Sequence, residues 1–359
     1  MNRLLCGILV LLTVGLVACA VPGATRPTVK IGLVAPFEGR YREVGYSLFA
    51  AVRLALREIN AAGGIGERNR RYSVELIAYD DGADPDQARQ QAEKLAVDPQ
   101  VVVVIGHFRE ETTRAAQPVY AAEGLPMLAP AVTDPALTAG NGVVIRIGPD
   151  ADEMAARMLE GVSGTAGLIG GEGPLGRALQ RAADAQGISL HVFSPDGPPL
   201  PDHPPSPLFC DAPPADCGEV LAALRARGWQ GEFIGRPDLA LGEFTAVAGE
   251  AAMGARMLSP WPFPQQEAGC ADFVAECARI SLGIPPGPLA LPAYQAARRA
   301  LEALAWDIAT HNRPTRAGVT QALASGAAMP LPGGPSCPLP ATPALHWYRL
   351  GANGWQSSE

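Results

Sequence analysis

From residue 28 onward, short apolar runs alternate with longer amphipathic segments, and the alternation restarts near residue 165. This pattern is the sign of βα units feeding a parallel sheet, and the restart predicts two such units in one chain. In the first series VKIGLVAP reads as a strand. Leu48, Ala51, Val52, Ala55 and Ile59 then recur at helical spacing until Gly63 and Gly64 stop the helix. SVELIAYD is the next strand, and Asp84 as N-cap, Pro85 at N1 and Gln87 at N3 open a helix over DPDQARQQAEKLA. A buried strand VVVVIGHF, a helix over 112–123 and the strands LPMLAP and VVIRIG complete the series.

The second series runs TAGLIGG, the helix RALQRAADAQ, the strand ISLHVFS, a Pro-rich loop, PLFCD, the helix GEVLAALRARG and the strand EFIGR. Residues 149–162 read as the exit from one unit into the other, and SPWPFPQQE at 259–267 as a second crossing. The helix LPAYQAARRALEALAWDIA has no strand of its own and is expected to pack back on the first unit. PLPGGPSCPLPATP reads as a third linker before a final strand, ALHWYRL. The predicted organisation is a leader over 1–18, a tether over 19–27, one lobe from 28–148 and 268–335, and another from 149–267 and 336–359.

After Met1, Asn2 and Arg3, the uncharged run LLCGILVLLTVGLVA is shorter than the roughly 20 residues a membrane-crossing helix needs, so it reads as a secretory signal. Leu16, Val17, Ala18 and Cys19 resemble the lipobox of bacterial lipoproteins, in which the cysteine sulfur is acylated and becomes the new N-terminus. Cleavage after Ala20 and an uncleaved anchor are the alternatives. Export places Cys210, Cys217, Cys270, Cys277 and Cys337 in an oxidising compartment, where disulfides persist. Cys210 and Cys217 flank Pro213 and Pro214 and could close a small ring. Cys270 and Cys277 could pair only if Cys270 lies outside the helix that follows, because a continuous helix would hold them about 10 Å apart. The chain has no CxxC pair and no histidine at ligand spacing, so no metal site is expected. A net charge of −8 with five scattered histidines argues against a nucleic-acid partner.

The segments VKIGLVAPFEGRYREVGYSLFAAVRLALREINAAGGIG, YDDGADPDQARQQAEKL, VVVVIGHF and LPMLAPAVTDPALT resemble, in order and spacing, the branched-chain amino-acid binding proteins of bacterial ABC importers. The resemblance is specific through about residue 150, looser but in register through 258, and carried onward by the helix containing Tyr294 and the strand near Trp347. It implies an α/β type I periplasmic binding fold: two Rossmann-like lobes with parallel sheets, joined by a three-crossing hinge and closing on a small polar ligand. It also implies a membrane permease and an ATPase as partners, no cofactor and no catalysis; the lipobox independently points to an exported protein, anchored by an N-terminal lipid to the outer face of the cell membrane or periplasmic.

Ligands of open parallel sheets sit beyond the carboxyl ends of the strands, where helix starts favour anions. The cleft is therefore expected from six loops: Phe37–Gly45, Phe108–Thr113, Ala131–Asp134, Gly171–Gly176, Cys210–Cys217 and Arg236–Asp238. By resemblance, Ala131, Val132 and Thr133 match the segment that grips a ligand carboxylate. Where the family has a serine after the IGH strand, this chain has Glu110, followed by Glu111. A carboxylate there would repel a ligand carboxylate and would itself occupy the positive helix terminus, unless Arg109 offsets it. Asp238 best matches the acid that holds a ligand ammonium, and the aromatic expected in the Cys210 loop is absent. Tyr41 and Phe108 complete the candidate site; the plain alternatives are capping for Thr133 and Asp238, a solvated rim for Arg109, Glu110 and Glu111, and surface cover for the two aromatics.

Gly171, Gly173 and Gly176 form GxGxxG after an apolar strand, with Asp196 twenty residues beyond Gly176, which meets a dinucleotide-binding fingerprint in form. The export signal, the place in the second series and the lack of a nearby acid or base count against an NAD-dependent enzyme. The Asp80, Asp81, Asp84 and Asp86 run is no EF-hand, since its twelfth position is Gln91. A third reading keeps the fold but hands the ligand signal to a signalling partner in place of a permease.

Overall fold

The computed structural model describes residues 26–67, 70–140, 142–194, 200–338 and 344–358. The expected leader, lipobox cysteine Cys19 and most of the tether lie outside these residues, as does Asp196.

The first sheet contains β1 (Thr28–Ala35), β2 (Ile65–Glu67), β3 (Arg70–Asp80), β4 (Val101–Ile105), β5 (Met127–Ala129) and β6 (Val144–Arg146), in the order β2-β3-β1-β4-β5-β6. All pairs are parallel except the short β2–β3 ladder. Every residue of β4 is buried, as a central strand covered on both faces requires. One face is covered by the helices Arg42–Ala61 and Ala290–His311, the other by Pro85–Ala96 and Glu110–Ala122. The apolar stripe predicted from Leu48 to Ile59 is buried in full. The Asp84 carboxylate accepts the Gln87 N–H at 2.8 Å with Pro85 opening the helix, the cap expected from the sequence.

The second sheet contains β7 (Thr165–Ile169), β8 (Ser189–Phe193), β9 (Leu208–Cys210), β10 (Phe233–Gly235), β11 (Arg256–Ser259), β12 (His346–Gly351) and β13 (Gly354–Ser358), in the order β13-β12-β11-β10-β9-β7-β8. Its parallel part is sandwiched by Ala151–Met158 and Pro174–Gln186 on one face and by Pro214–Ala226 and Gly242–Ala248 on the other. β12 and β13 add an antiparallel hairpin. The sequence pattern does not announce β2, β11, β13 or the helices Gly242–Ala248 and Arg316–Ser325. β11 contributes only Met257 and Leu258 as apolar residues before the Pro-rich stretch, and β13 is a polar ribbon after a two-residue turn.

The chain passes between sheets after β6, after β11 and before β12. The helix Ala290–His311 packs on Arg42–Ala61, in the apolar core that backs the first sheet. Cys210 and Cys217 are bonded. Cys270 does lie before its helix, yet it bonds Cys337 and not Cys277, with a Cα–Cα distance of 4.4 Å; Cys277 is free and buried. The helix carries Cys277 into the core of the first lobe, out of reach of its neighbour in sequence.

Candidate functional site: a cleft between two lobes

A cleft of about 1160 Å³, counting its open mouth, lies at the carboxyl ends of both sheets. All six loops expected from the sequence contribute to its walls. Residues on the crossings were missed: Trp261, Pro260 and Ser259 come from the second crossing, Gly148 and Pro149 from the first, and Leu289 from the start of a distant helix. Six prolines (130, 149, 174, 237, 260 and 288) line the space, so much of its wall is backbone of fixed φ and apolar ring.

On the first lobe, the loop after β4 is held from beneath by a buried relay. His107 Nδ1 pairs with Asp81 Oδ2 at 2.7 Å and Nε2 with the Tyr120 hydroxyl at 3.2 Å, all three side chains being inaccessible to solvent. Burial and the Asp81 charge push the Tyr120 hydroxyl far above its usual range. Above this relay Phe108 packs on Tyr41, ring centroids 5.1 Å apart.

Arg109 does not offset Glu110. Its guanidinium donates to the Tyr41 hydroxyl at 2.7 Å and to the two Glu111 oxygens at 3.1 and 3.3 Å. Glu110 turns instead to the Ala131–Asp134 loop, where Oε1 accepts the Thr133 N–H at 2.7 Å, the Thr133 hydroxyl at 3.1 Å and the Asp134 N–H at 3.2 Å. The donors assigned to a ligand carboxylate are thus occupied by a side chain of the protein. Oε2 of the same carboxylate is buried without a partner among the described residues. Burial raises the Glu110 pKa above the usual carboxylate range, against the lowering effect of the Thr133 and Asp134 contacts.

The second lobe repeats this arrangement. Asp211, in the Cys210–Cys217 ring, accepts the Gly176 N–H at 2.9 Å at the start of the helix Pro174–Gln186. This explains the GxGxxG spacing without a nucleotide. A Cβ on Gly173 or Gly176 would fall 2.5 Å from the Asp211 oxygen, and Gly171 has a φ of +104°. The place a phosphate would take at that helix terminus holds Asp211. Burial raises the Asp211 pKa, with Arg236 and Gly176 opposing.

Asp238 faces the cleft, but it is not a free acid. Arg236 reaches it at 2.5 Å and also contacts Asp211 at 3.3 Å. Burial works against the Arg236 charge, yet Asp238 and Asp211 outweigh it and hold the pKa above its ordinary value. The predicted ammonium partner is therefore already neutralised by a neighbour two residues away. Trp261 closes the floor, its indole N–H buried beside Gly148 without an acceptor among the described residues. Among the described residues, no group of three His, Cys, Asp or Glu side chains is placed to hold a metal ion.

Comparisons with known proteins agree with this geometry. The sequence model of a family described as periplasmic binding protein matches residues 28–192. A Leu/Ile/Val/Thr-binding protein of Salmonella typhimurium is 30% identical over 260 residues, 66% of this chain and 69% of the relative. A leucine-specific-binding protein of the same organism is 29% identical over 304 residues, 79% of this chain and 80% of the relative. A crystal structure of a leucine-binding protein from Thermotoga maritima shares the fold, with a TM-score of 0.74 at 16% identity over 92% of this chain and 98% of that one. These relatives are binding proteins, not enzymes. Two doubly covered sheets, a cleft at their carboxyl ends and the relatives that match them place the chain in the branched-chain amino-acid-binding family of periplasmic binding proteins.

Proposed function

We propose that this chain is an extracytoplasmic solute-binding lipoprotein of an ABC importer, closing its two lobes on a small polar ligand, an amino acid or a related compound. The observation that carries this reading is the cleft itself, whose walls come from both lobes and whose polar groups converge on one space. A ligand that contacts both walls binds the closed arrangement better than the open one, and that difference is the signal a permease and its ATPase read. The lipobox LVAC supports acylation at Cys19 and attachment to the outer face of the cell membrane. The hinge is assigned to the segments around residues 149, 268 and 336.

A thermal-shift screen of the chain from Ala20 onward tests the reading, because a ligand that binds only the folded state raises its Tm by mass action. Amino acids, amino-acid amides, amines and small organic acids form the panel. A shift with any of them is the expected result, and a flat response across the panel would sink the receptor reading. Cys19→Ala is expected to release the protein from membranes or leave an uncleaved precursor; lipid labelling that persists in the variant would defeat the anchor assignment.

A further inference from the structure

The lobes share a pattern that bears on what the cleft accepts. At the Ala131–Asp134 loop the donors converge on Glu110, and at the start of the helix Pro174–Gln186 the Gly176 N–H is taken by Asp211. At these two places, where backbone N–H groups would welcome an anion, a carboxylate of the chain sits instead. The cleft lining carries four carboxylates and two guanidiniums, and both guanidiniums are engaged: Arg109 by Glu111, Arg236 by Asp238 and Asp211. Two buried polar atoms on the lining residues have no partner among the described residues, namely Glu110 Oε2 and Trp261 Nε1. The first accepts a hydrogen bond and the second donates one. A ligand carboxylate finds the Thr133, Asp134 and Gly176 N–H groups already taken and meets like charge at Glu110, a juxtaposition that disfavours its binding.

We propose that the cleft selects amine-bearing ligands without a free carboxylate, the ammonium pairing with Glu110 Oε2 and a carbonyl oxygen accepting from the Trp261 indole. This rests on the receptor reading above and narrows its ligand class: within the branched-chain series, an amino-acid amide fits where the amino acid does not. The apolar body of such a ligand packs against Tyr41, Phe108, Leu241 and Leu289, which line the same space.

Calorimetric titration of the wild-type chain with leucinamide and with leucine is the test, repeated on Glu110→Gln and Glu110→Ser. The wild type is expected to bind leucinamide at least roughly tenfold more tightly than leucine, the factor that about 1.4 kcal/mol supplies. Glu110→Gln keeps an oxygen for the Thr133 and Asp134 N–H groups while removing the charge, so the preference collapses without loss of fold. Glu110→Ser frees those N–H groups and reverses the preference toward leucine. Trp261→Phe weakens leucinamide by a larger factor than it weakens 3-methylbutylamine, which has no carbonyl. Leucine bound as tightly as leucinamide by the wild type would overturn the proposal while the receptor reading stands. Binding of neither compound by wild type or either Glu110 variant would overturn the proposal, while the receptor reading falls only with a flat response across the whole thermal-shift panel.

Discussion

Arg40 of the first lobe and Glu243 of the second meet across the mouth of the cleft, Nη2 to Oε1 at 2.9 Å. On another part of the rim Arg177 approaches Asp134 at 3.9 Å, where Asp134 is already paired with Arg114 at 2.7 Å. The lobes therefore touch through charges at the rim. Both cross-lobe arginines are about half exposed, so solvent screens each pair and it holds the lobes together weakly. A double-mutant cycle over Arg40→Ala and Glu243→Ala, read by urea unfolding, should give a coupling of about 0.2–1 kcal/mol in low salt. At 1 M salt it should vanish, because the screening length falls to about 3 Å. A coupling undiminished at high salt would contradict a solvated rim contact.

Arg236 is expected to matter more to stability than any rim residue. Arg236→Ala leaves Asp211 buried with only the Gly176 N–H and places Asp238 beside it without a cation. Stranding a buried carboxylate costs more than the roughly 1–3 kcal/mol lost when an uncharged buried polar group is left unpaired. Chemical denaturation should show that loss in the single variant and partial recovery in Arg236→Ala combined with Asp211→Asn. If the double variant is no more stable than the single, Asp211 is not the source of the penalty.

The acidic groups of the cleft also set a pH dependence. Burial raises the pKa of Glu110 in the fold above its unfolded value. The folded state then binds more protons in the window between the two values, so this group's contribution is present below an unfolded pKa of about 4.3 and is lost as pH rises through the folded value. Glu110→Gln does not titrate. Its stability relative to wild type should therefore improve from pH 4 to pH 7, measured by denaturant midpoints at each pH, and a constant difference would show that the Thr133 and Asp134 contacts cancel the burial effect.

The two disulfides should differ in worth. Cys270–Cys337 closes a separation of 67 residues and Cys210–Cys217 one of 7. Chain-entropy arguments assign about 4 kcal/mol to the first and about 2 kcal/mol to the second. Replacing each pair by serine and comparing unfolding free energies should rank them in that order; the reverse ranking would show that structure in the unfolded chain or local packing outweighs loop length.

Cys277 is expected to stay unreactive. Burial pushes its thiol up to about 12, with Glu58 and Glu276 adding to the effect. Only the thiolate is nucleophilic, so iodoacetamide at pH 8 should leave Cys277 unlabelled in the native chain and label it in denaturant. Peptide mass spectrometry locates the label, and rapid native alkylation would mean that the helix Ala271–Ile280 opens readily.

The first lobe is legible in the sequence because each element carries its own signal. Asp84, Pro85 and Gln87 announce a helix start, and Val101–Ile105 can only be a doubly covered strand. The cleft loops are legible for a topological reason, since parallel strands all present their carboxyl ends to one side. What contacts what within the cleft is not. Glu110 reaching Thr133 spans 23 residues, and its direction depends on Arg109 being drawn off by Tyr41 and Glu111. Asp238 looked like a ligand partner because its own neighbour, Arg236, could have pointed elsewhere. Trp261 and Leu289 arrive from the crossing and the return helix, where no strand-end rule applies. Cys270 and Cys337 carry no local cue to their pairing, which only the docking of the return segment on the first lobe creates.

That pairing has a mechanical consequence. Cys270 follows the second passage between the lobes and Cys337 precedes the third, and both are buried in the core of the first lobe. The disulfide ties the second and third passages to one covalent point, so in the lobe closure proposed above the second lobe would swing from two anchors where the chain path alone would give three. Two anchors define a single line, and closure about it would bring the rim pair Arg40 and Glu243 together while twist between the lobes is resisted.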